Sequence, residues 1–172
     1  MKGYCPNFKI ILFVIFSFGL FGLAESSWAA EEIYISQMSA GGNSGTDCAN
    51  SHSAAWFNTT SNWGSETGKI GAGGTVHLCG IFAAPNINAT PMLTVQNSGS
   101  SGSPITVLFE AGAIIQAPYW GSTGAINLNG KSYITLDGGT VCGKVDGPTS
   151  PTTVCNGTIR NTLAGSTGQT CP

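Results

Sequence analysis

Charged residues are scarce in this chain of 172 residues. They make up 8% of it, against roughly 25% in an average soluble domain, and the Ala-, Glu- and Lys-rich composition of coiled coils and helical bundles is missing. The sequence has no basic cluster of the kind that attracts nucleic acid. Intrinsic disorder is also excluded, because hydrophobic residues make up 41% and the net charge is only -2. Gly, Ser, Thr and Asn are abundant instead, between short apolar runs.

Long hydrophobic runs are absent except at the N-terminus. Two lysines precede an apolar run of 15 residues, and small residues at Ser27 and Ala29 mark a cleavage site. A membrane-spanning helix needs about 20 apolar residues, and Glu25 ends this run earlier. The pattern predicts a signal peptide over 1–29. It also predicts a mature domain over 30–172 that is secreted or at the cell surface, with the periplasm as the alternative, and outside any membrane.

The cysteine spacing excludes the common zinc and redox motifs, because the sequence contains no C-x-x-C pair. Disulfides persist in exported proteins, so we interpret the cysteines as structural. The pairs we expect are Cys48 with Cys79 and Cys142 with Cys155. The sequence does not fix this connectivity, and Cys171 could instead pair with Cys142 or Cys155.

Short apolar runs between clusters of Gly, Ser, Asn and Pro predict strands and turns. Comparable runs recur at intervals of roughly 20–30 residues, a spacing typical of solenoids. The repeat is carried by two sets of positions: Val76, Thr106 and Ile134 begin one set, and Leu93, Ile114 and Ile159 form the other.

This repeat predicts an all-β fold, a parallel β-helix of about three coils, in which equivalent strands stack about 4.8 Å apart. Stacking would bring like charges together, which explains the scarcity of charge. Residues 141–155 interrupt the repeat and are interpreted as an inserted loop. The alternative is an antiparallel β-sandwich, in which Asn129-Gly130 would form a hairpin.

One short helix is predicted over 51–63. Ser51 or Ser53 can cap it, and the apolar residues that follow give it a buried side.

Several segments resemble the start of exported right-handed parallel β-helix proteins of the pectin-lyase-like family. They are Ile33–Ser36, Cys48 with Ala54–Phe57, Gly73–Gly80 and Tyr133–Gly139. The resemblance covers roughly 33–163. It implies three strands per coil and an N-terminal helix that caps the first coil. It also implies further coils, so we expect the chain to be incomplete at its C-terminus.

Many pectin-lyase-like proteins are polysaccharide lyases or glycoside hydrolases. The resemblance therefore implies an exported protein that binds or degrades polysaccharide. The chain matches none of the family's catalytic motifs, so its enzymatic activity stays an open question. The alternatives are a non-enzymatic surface scaffold or adhesin-like β-solenoid, and a small disulfide-bonded binding module.

Glu110 and Asp137 are the candidate acidic pair, because each ends one of two comparable strands. Stacked on one another, they could bind calcium or serve as acid and base. Each could equally end a strand at a turn, where carboxylates accept backbone hydrogen bonds.

Tyr119 and Trp120 are candidates for stacking on a sugar ring, or for covering an edge of the core. Arg160, the only arginine, could clamp a sugar or act as a base, or could lie outward in solvent. His77 alternates with the apolar Val76, so we expect it to face outward.

Overall fold

The computed structural model describes residues 30–86, 89–139 and 157–163. Within these residues ten strands form three sheets, and every pairing between strands is parallel. The first sheet contains, in spatial order, β2 (His52–Ser53), β1 (Glu32–Ser36), β3 (Thr75–Leu78), β6 (Ile105–Phe109) and β9 (Ile134–Asp137). The second contains β4 (Ile81–Ala83), β7 (Ile114–Ala117) and β10 (Thr158–Asn161), and the third contains β5 (Leu93–Thr94) and β8 (Ile126–Asn127).

The chain visits the three sheets in turn. Strands β3, β4 and β5 lie in the first, second and third sheets, and β6, β7 and β8 repeat that order before β9 returns to the first sheet. Each strand thus pairs with the strand at the same place in the preceding repeat. The described residues are mostly strands in parallel sheets with little helix, which is consistent with an all-β fold and compatible with a β-solenoid, whereas the antiparallel sandwich is wrong.

Asn129 and Gly130 do not form the hairpin of the sandwich alternative. They lie between β8 and β9, which belong to different sheets. Their φ angles are 52° and 69°, a left-handed conformation that Asn and Gly adopt more readily than other residues. The pair therefore forms a corner between two sheets.

The stacking register differs by one residue from the prediction. Val76 pairs with Val107 rather than Thr106, and Ile134 pairs with Ile105. A slip of one residue turns every side chain of a strand to the opposite face. The interior takes the aliphatic side chains, so Val76, Ile105 and Val107 are buried.

The second predicted set of positions mixed two sheets. Leu93 pairs with Ile126 in the third sheet, whereas Ile114 and Ile159 lie in neighbouring strands of the second. The position equivalent to Ile114 one repeat earlier is Ile81. Each repeat contains several apolar runs of similar composition, and composition alone does not tell them apart.

Apolar side chains that point inward from the three sheets form the core. In the first sheet Ile35, Leu78 and Phe109 occupy one register row, and all three are buried. Phe82 from the second sheet and Leu93 from the third belong to the same cluster. Full burial of such a side chain contributes about 1.5–3 kcal/mol, so this stacked interior is the main source of stability.

The helix predicted over 51–63 is shorter than expected. The α-helix, α1, spans Ala54–Phe57, a single turn. Ser53 caps it, because its Oγ accepts a hydrogen bond from the Trp56 N–H at 3.2 Å. It ends before Asn58, whose side chain binds the edge of β5. The other helical turns in the described part of the chain are 3₁₀, at Cys48–Asn50 and Thr60–Asn62.

Side-chain amides bind the first strands of the second and third sheets. The Gln37 amide donates to the Ala83 carbonyl at 3.1 Å and accepts from the Ala83 N–H at 2.8 Å. The Asn58 amide donates to the Met92 carbonyl at 3.0 Å and accepts from the Thr94 N–H at 2.7 Å. In the first sheet, the short parallel strand β2 pairs with β1 and covers its outer edge. Free strand edges attract other chains, so this end of the sheets is protected.

The signal peptide over 1–29, the inserted loop over 141–155 and the cysteines Cys142, Cys155 and Cys171 lie outside the described residues. They stay predictions, as does a continuation beyond the C-terminus. In the part of the chain that the structure describes, no helix is long and apolar enough to cross a membrane.

Candidate functional site

The outer face of the first sheet carries a cluster of polar side chains. Side chains alternate along a strand, so the neighbours of the buried Ile33, Val76 and Val107 point outward. Two outward register rows result: one contains Glu32, Thr75, Thr106 and Thr135, and the other contains Tyr34, His77, Leu108 and Asp137.

His77 lies between two carboxylates. Its Nε2 is 2.5 Å from Glu32 Oε2, and its Nδ1 is 2.5 Å from Glu110 Oε1. Glu32 lies in β1 and Glu110 directly follows β6, so the three side chains bridge three adjacent strands. Although it points outward, His77 is only 8% exposed. We call Glu32, His77, Glu110 and Tyr34 the histidine cluster.

Tyr34 covers one face of the imidazole. The two ring centroids are 4.1 Å apart and the ring planes are within 8° of parallel. Burial raises the pKa of Tyr34, and the negative charges of Glu110 and Glu32 raise it further, because both disfavour a charged phenolate. The Tyr34 hydroxyl therefore remains protonated at physiological pH.

The histidine cluster binds its own polar groups rather than presenting them to a substrate. Both ring nitrogens face carboxylate oxygens, which accept hydrogen bonds when ionised. Hydrogen bonds to a carboxylate are charge-assisted and stronger than neutral ones. Because a carboxylate oxygen lies against each ring nitrogen, neither nitrogen faces a bound molecule. In this arrangement the cluster joins β1, β3 and β6.

Glu110 and Asp137 are not opposite one another in the strand register. Asp137 lies opposite Leu108 in the register, two residues before Glu110. Glu110 contacts His77, whereas Asp137 Oδ1 accepts the Gly139 N–H at 2.8 Å, as Asp does in turns. Among the described residues, no group of three or more His, Cys, Asp or Glu side chains could hold a metal ion. Calcium at this pair stays a prediction.

Tyr119 and Trp120 lie in the turn after β7. Trp120 packs against the core, and its Nε1 donates to the Arg160 carbonyl at 3.3 Å. Trp120 also forms a parallel bridge with Ala89. These contacts suit a residue that covers a core edge, and Tyr119 beside it is half-buried. A role in sugar stacking stays a prediction.

Arg160 points outward from β10 and is exposed. Its Nε and one terminal nitrogen donate to Gln116 Oε1 at 3.0 and 2.7 Å. Gln116 is its register partner in β7, so the guanidinium is held along the second sheet. The first sheet, which carries the histidine cluster, does not include Arg160.

The predicted disulfide between Cys48 and Cys79 is present, with the Cα atoms 5.5 Å apart. It joins the segment before β2 to the residue after β3. The backbone holds the same segment against β1, where the Tyr34 N–H donates to the Gly45 carbonyl at 2.9 Å. The loop therefore packs beside the histidine cluster.

A cleft of about 920 Å³ opens at the start of β3 and β6. Serine and threonine side chains and glycine backbone line most of it, and its charged residues are Glu31, Glu66 and Lys69. A Cβ atom at Gly71 would lie 2.3 Å from the Gly64 carbonyl oxygen, so this part of the wall requires glycine.

Sequence reasoning placed His77 on the outer face and missed its carboxylate partners. Glu32 and Glu110 are 45 and 33 residues away from it, and only the stacking of the strands brings them close. The available signal was a histidine at an outward strand position, with acidic residues near the ends of neighbouring strands.

No protein-family model, curated protein or solved structure matches the chain. The resemblance to pectin-lyase-like proteins therefore stays a prediction, and the function has to be argued from the residues.

Proposed function

We propose that the chain is an exported, right-handed parallel β-solenoid that binds polysaccharide on the outer face of its first sheet. The visits to three parallel sheets in turn support a solenoid. Right-handedness follows from the general rule for crossovers between parallel strands. The Cys48–Cys79 disulfide and the signal-like N-terminus support export.

The observation that carries the proposal is the threonine row, which consists of Thr75, Thr106 and Thr135. These residues come from β3, β6 and β9 in direct register, so their hydroxyls recur at the strand spacing of about 4.8 Å. None of the three hydroxyls has a hydrogen-bond partner among the described residues. A regular row of unpaired hydroxyls suits a polymer of repeating hydroxylated units.

Binding suits this face better than catalysis does. The imidazole of His77 is sequestered by Glu32 and Glu110, and Asp137 is engaged in its own turn. General acid–base chemistry needs a group within hydrogen-bond reach of the reacting atoms. The groups on this face that remain available are the hydroxyls.

The test is the double substitution Thr75→Ala with Thr106→Ala in the processed chain. Each lost hydrogen bond contributes roughly 0.5–1.5 kcal/mol, so we expect binding to weaken about tenfold. Affinity electrophoresis through gels that contain neutral, acidic or basic polysaccharides would measure the dissociation constants.

The matched control is Thr94→Ala, which removes a half-buried threonine from the third sheet. We expect binding to be unchanged in this variant. Equal losses in the control and the double variant would contradict the proposed surface, as would failure of the parent protein to bind any polysaccharide.

A surface scaffold is the second candidate function. It is favoured by the protected edge that β2, Gln37 and Asn58 form, because a scaffold exposed to other proteins must avoid pairing with their strands. A scaffold would retain its fold and stability in both threonine variants and would bind no polysaccharide in the same gels.

A further inference from the structure

The backbone of Tyr133 has a conformation that aromatic residues rarely adopt. Its φ angle is 56°, and the other non-glycine residues with a positive φ in the described part of the chain are two asparagines, Asn43 and Asn129. Asparagine tolerates left-handed angles, whereas a bulky side chain is strained there. Strain of this kind costs free energy and is concentrated at functional sites. Tyr133 is therefore a candidate for a role beyond the fold itself.

The preceding repeat enters the first sheet without this strain. Pro104 and Tyr133 directly precede Ile105 and Ile134, which are paired in the register. The ring of Pro104 fixes its φ at about −65°. The Tyr133 carbonyl accepts the Ile105 N–H at 2.9 Å, and a backbone carbonyl of any residue type can accept in this way. Neither the register nor this hydrogen bond requires a tyrosine.

The side chain of Tyr133 extends into solvent. It is 56% exposed, and its ring and hydroxyl have no partner among the described residues. Pro104 is exposed as well, although β6, which it precedes, has β3 on one side and β9 on the other. Exposure at this position therefore belongs to the outer face of the sheet and does not arise only because β9 is its last strand.

The two long stretches outside the described residues attach elsewhere. Residues 140–156 follow the opposite end of β9. Residues 1–29 attach before β1, which β3 and β6 separate from β9 in the first sheet, and the predicted processing removes them. Neither attachment point adjoins Tyr133.

Pro104 and Tyr133 form an apolar row beside the threonine row. They lie two residues before Thr106 and Thr135, respectively. Positions two apart in a strand are separated by roughly 7 Å, and neighbouring strands by about 4.8 Å. The first sheet thus presents hydroxyls and apolar surface side by side. A sugar ring has the same division, with hydroxyls around its edge and C–H groups on its faces.

We propose that Tyr133 stacks on the C–H face of a sugar ring whose hydroxyls bind Thr106 and Thr135. This inference rests on the proposed function and adds a binding residue to it. A tyrosine ring offers a large, rigid contact surface, and ordering it costs little entropy because it has few rotatable bonds. Further units of the polymer continue along the threonine row toward Thr75.

The contact suits sugars whose hydroxyls are all equatorial. Equatorial hydroxyls leave C–H groups on both faces of the ring, so either face can lie against Tyr133. Ligand sites commonly combine an aromatic surface with a few polar groups that fix the orientation of the ligand. Here the threonine hydroxyls supply the polar groups. An oligomer of β-linked glucose is therefore the probe for the test.

Two substitutions of Tyr133 provide the test, by calorimetry of the processed protein with this glucose oligomer. Tyr133→Asn removes the ring and introduces a residue that tolerates the left-handed backbone. We expect its binding to weaken about tenfold, while its melting temperature rises by about 3 °C because the strain is relieved. Tyr133→Phe keeps the ring and should bind as the parent does.

Nuclear magnetic resonance reports the stacking directly. The ring current of an aromatic side chain shifts the resonances of protons that lie over its face. The C–H protons of the bound glucose oligomer should move upfield with the parent and with Tyr133→Phe, and should not move with Tyr133→Asn.

The control is Tyr119→Asn, which removes a half-buried tyrosine in the turn after β7, outside the first sheet. It should bind the oligomer as the parent does. Four results would overturn the inference and leave the proposed function standing: equal binding by the parent and Tyr133→Asn, an equal loss in Tyr119→Asn, a fall in the melting temperature of Tyr133→Asn, or a parent that binds polysaccharide in the gels but not the glucose oligomer. If the parent binds neither the oligomer nor any polysaccharide in the gels, the proposed function itself fails.

Discussion

His77 lies on an outer sheet face and is nevertheless shielded from water. Glu32 and Glu110 cover its two nitrogens, and Tyr34 covers its ring. Backbone hydrogen bonds already hold the three strands concerned. The histidine cluster adds a side-chain connection between the same strands, and it combines charge-assisted bonds with ring stacking.

Replacing His77 with alanine should destabilise the fold strongly. The His77→Ala variant leaves Glu32 and Glu110 without their partner and removes the ring stacked on Tyr34. Because partly buried polar groups that lose a partner cost roughly 1–3 kcal/mol, we expect the free energy of unfolding to fall by about 3 kcal/mol, measured by urea denaturation.

The other described histidine provides the control. His52 stacks on Trp56 with the ring centroids 4.1 Å apart and contacts Asn43 at 2.9 Å, and it has no carboxylate partner among the described residues. His52→Ala should cost about 1 kcal/mol. Equal losses in the two variants would show that the histidine cluster adds nothing beyond ordinary packing.

At the scale of elements, Gln37 and Asn58 each take the place of a neighbouring strand. A backbone segment in a parallel sheet presents an acceptor and a donor to its neighbour, and a side-chain amide carries the same pair. The first strands of the second and third sheets, β4 and β5, therefore have partners on their outer edges without an additional strand.

Two substitutions of Asn58 should show separately what its donated and its accepted hydrogen bond contribute. Asn58→Ala removes both, and we expect it to cost about 2 kcal/mol. Asn58→Asp keeps the acceptor for the Thr94 N–H, but it replaces the donor to the Met92 carbonyl with a second carboxylate oxygen that repels this carbonyl, so it should cost at least as much. Amide hydrogen exchange would distinguish the variants, because only Asn58→Ala should lower the protection of the Thr94 N–H.

The control for this element is Asn97→Ala. The Asn97 side chain is exposed, and among the described residues it accepts only from the neighbouring Ser98 N–H. The stability of this variant should match the parent, and a loss as large as that in Asn58→Ala would contradict the role assigned to the Asn58 amide.

The sequence predicted the existence of elements better than their partners. Alternating apolar residues predicted β3 and β6, and the Cys48–Cys79 pair was also predicted. The one-residue error at Val76 arose because two adjacent positions in a strand differ only in the face they occupy. The helix over 51–63 was predicted too long because Asn58 makes a contact with β5 that no local propensity reports.

The candidate site was less predictable than the fold. The outward orientation of His77 follows from alternation within β3. Its contacts with Glu32 and Glu110 depend on the register of three strands separated by long connections. The cleft is built from turns, whose relative positions are fixed by tertiary packing rather than by their own residues.

At the scale of the whole molecule, the Cys48–Cys79 disulfide should contribute substantially to stability. It closes a segment with a sequence separation of 31 residues, and loop-closure entropy for that length corresponds to about 3–4 kcal/mol. The double variant Cys48→Ala with Cys79→Ala should lose this amount in urea denaturation. Cys48→Ala alone should lose as much, because one substitution already breaks the bond, and unchanged stability in both variants would contradict the estimate.

The protected edge of β2, Gln37 and Asn58 has a consequence for the order of folding. All of it lies near the beginning of the described chain, and a ribosome delivers the N-terminus first. The edge is therefore finished while the later strands are still being synthesised. Each newly synthesised strand can pair with the strand of the preceding repeat. The register is therefore set one repeat at a time, without a partner that is distant in the sequence.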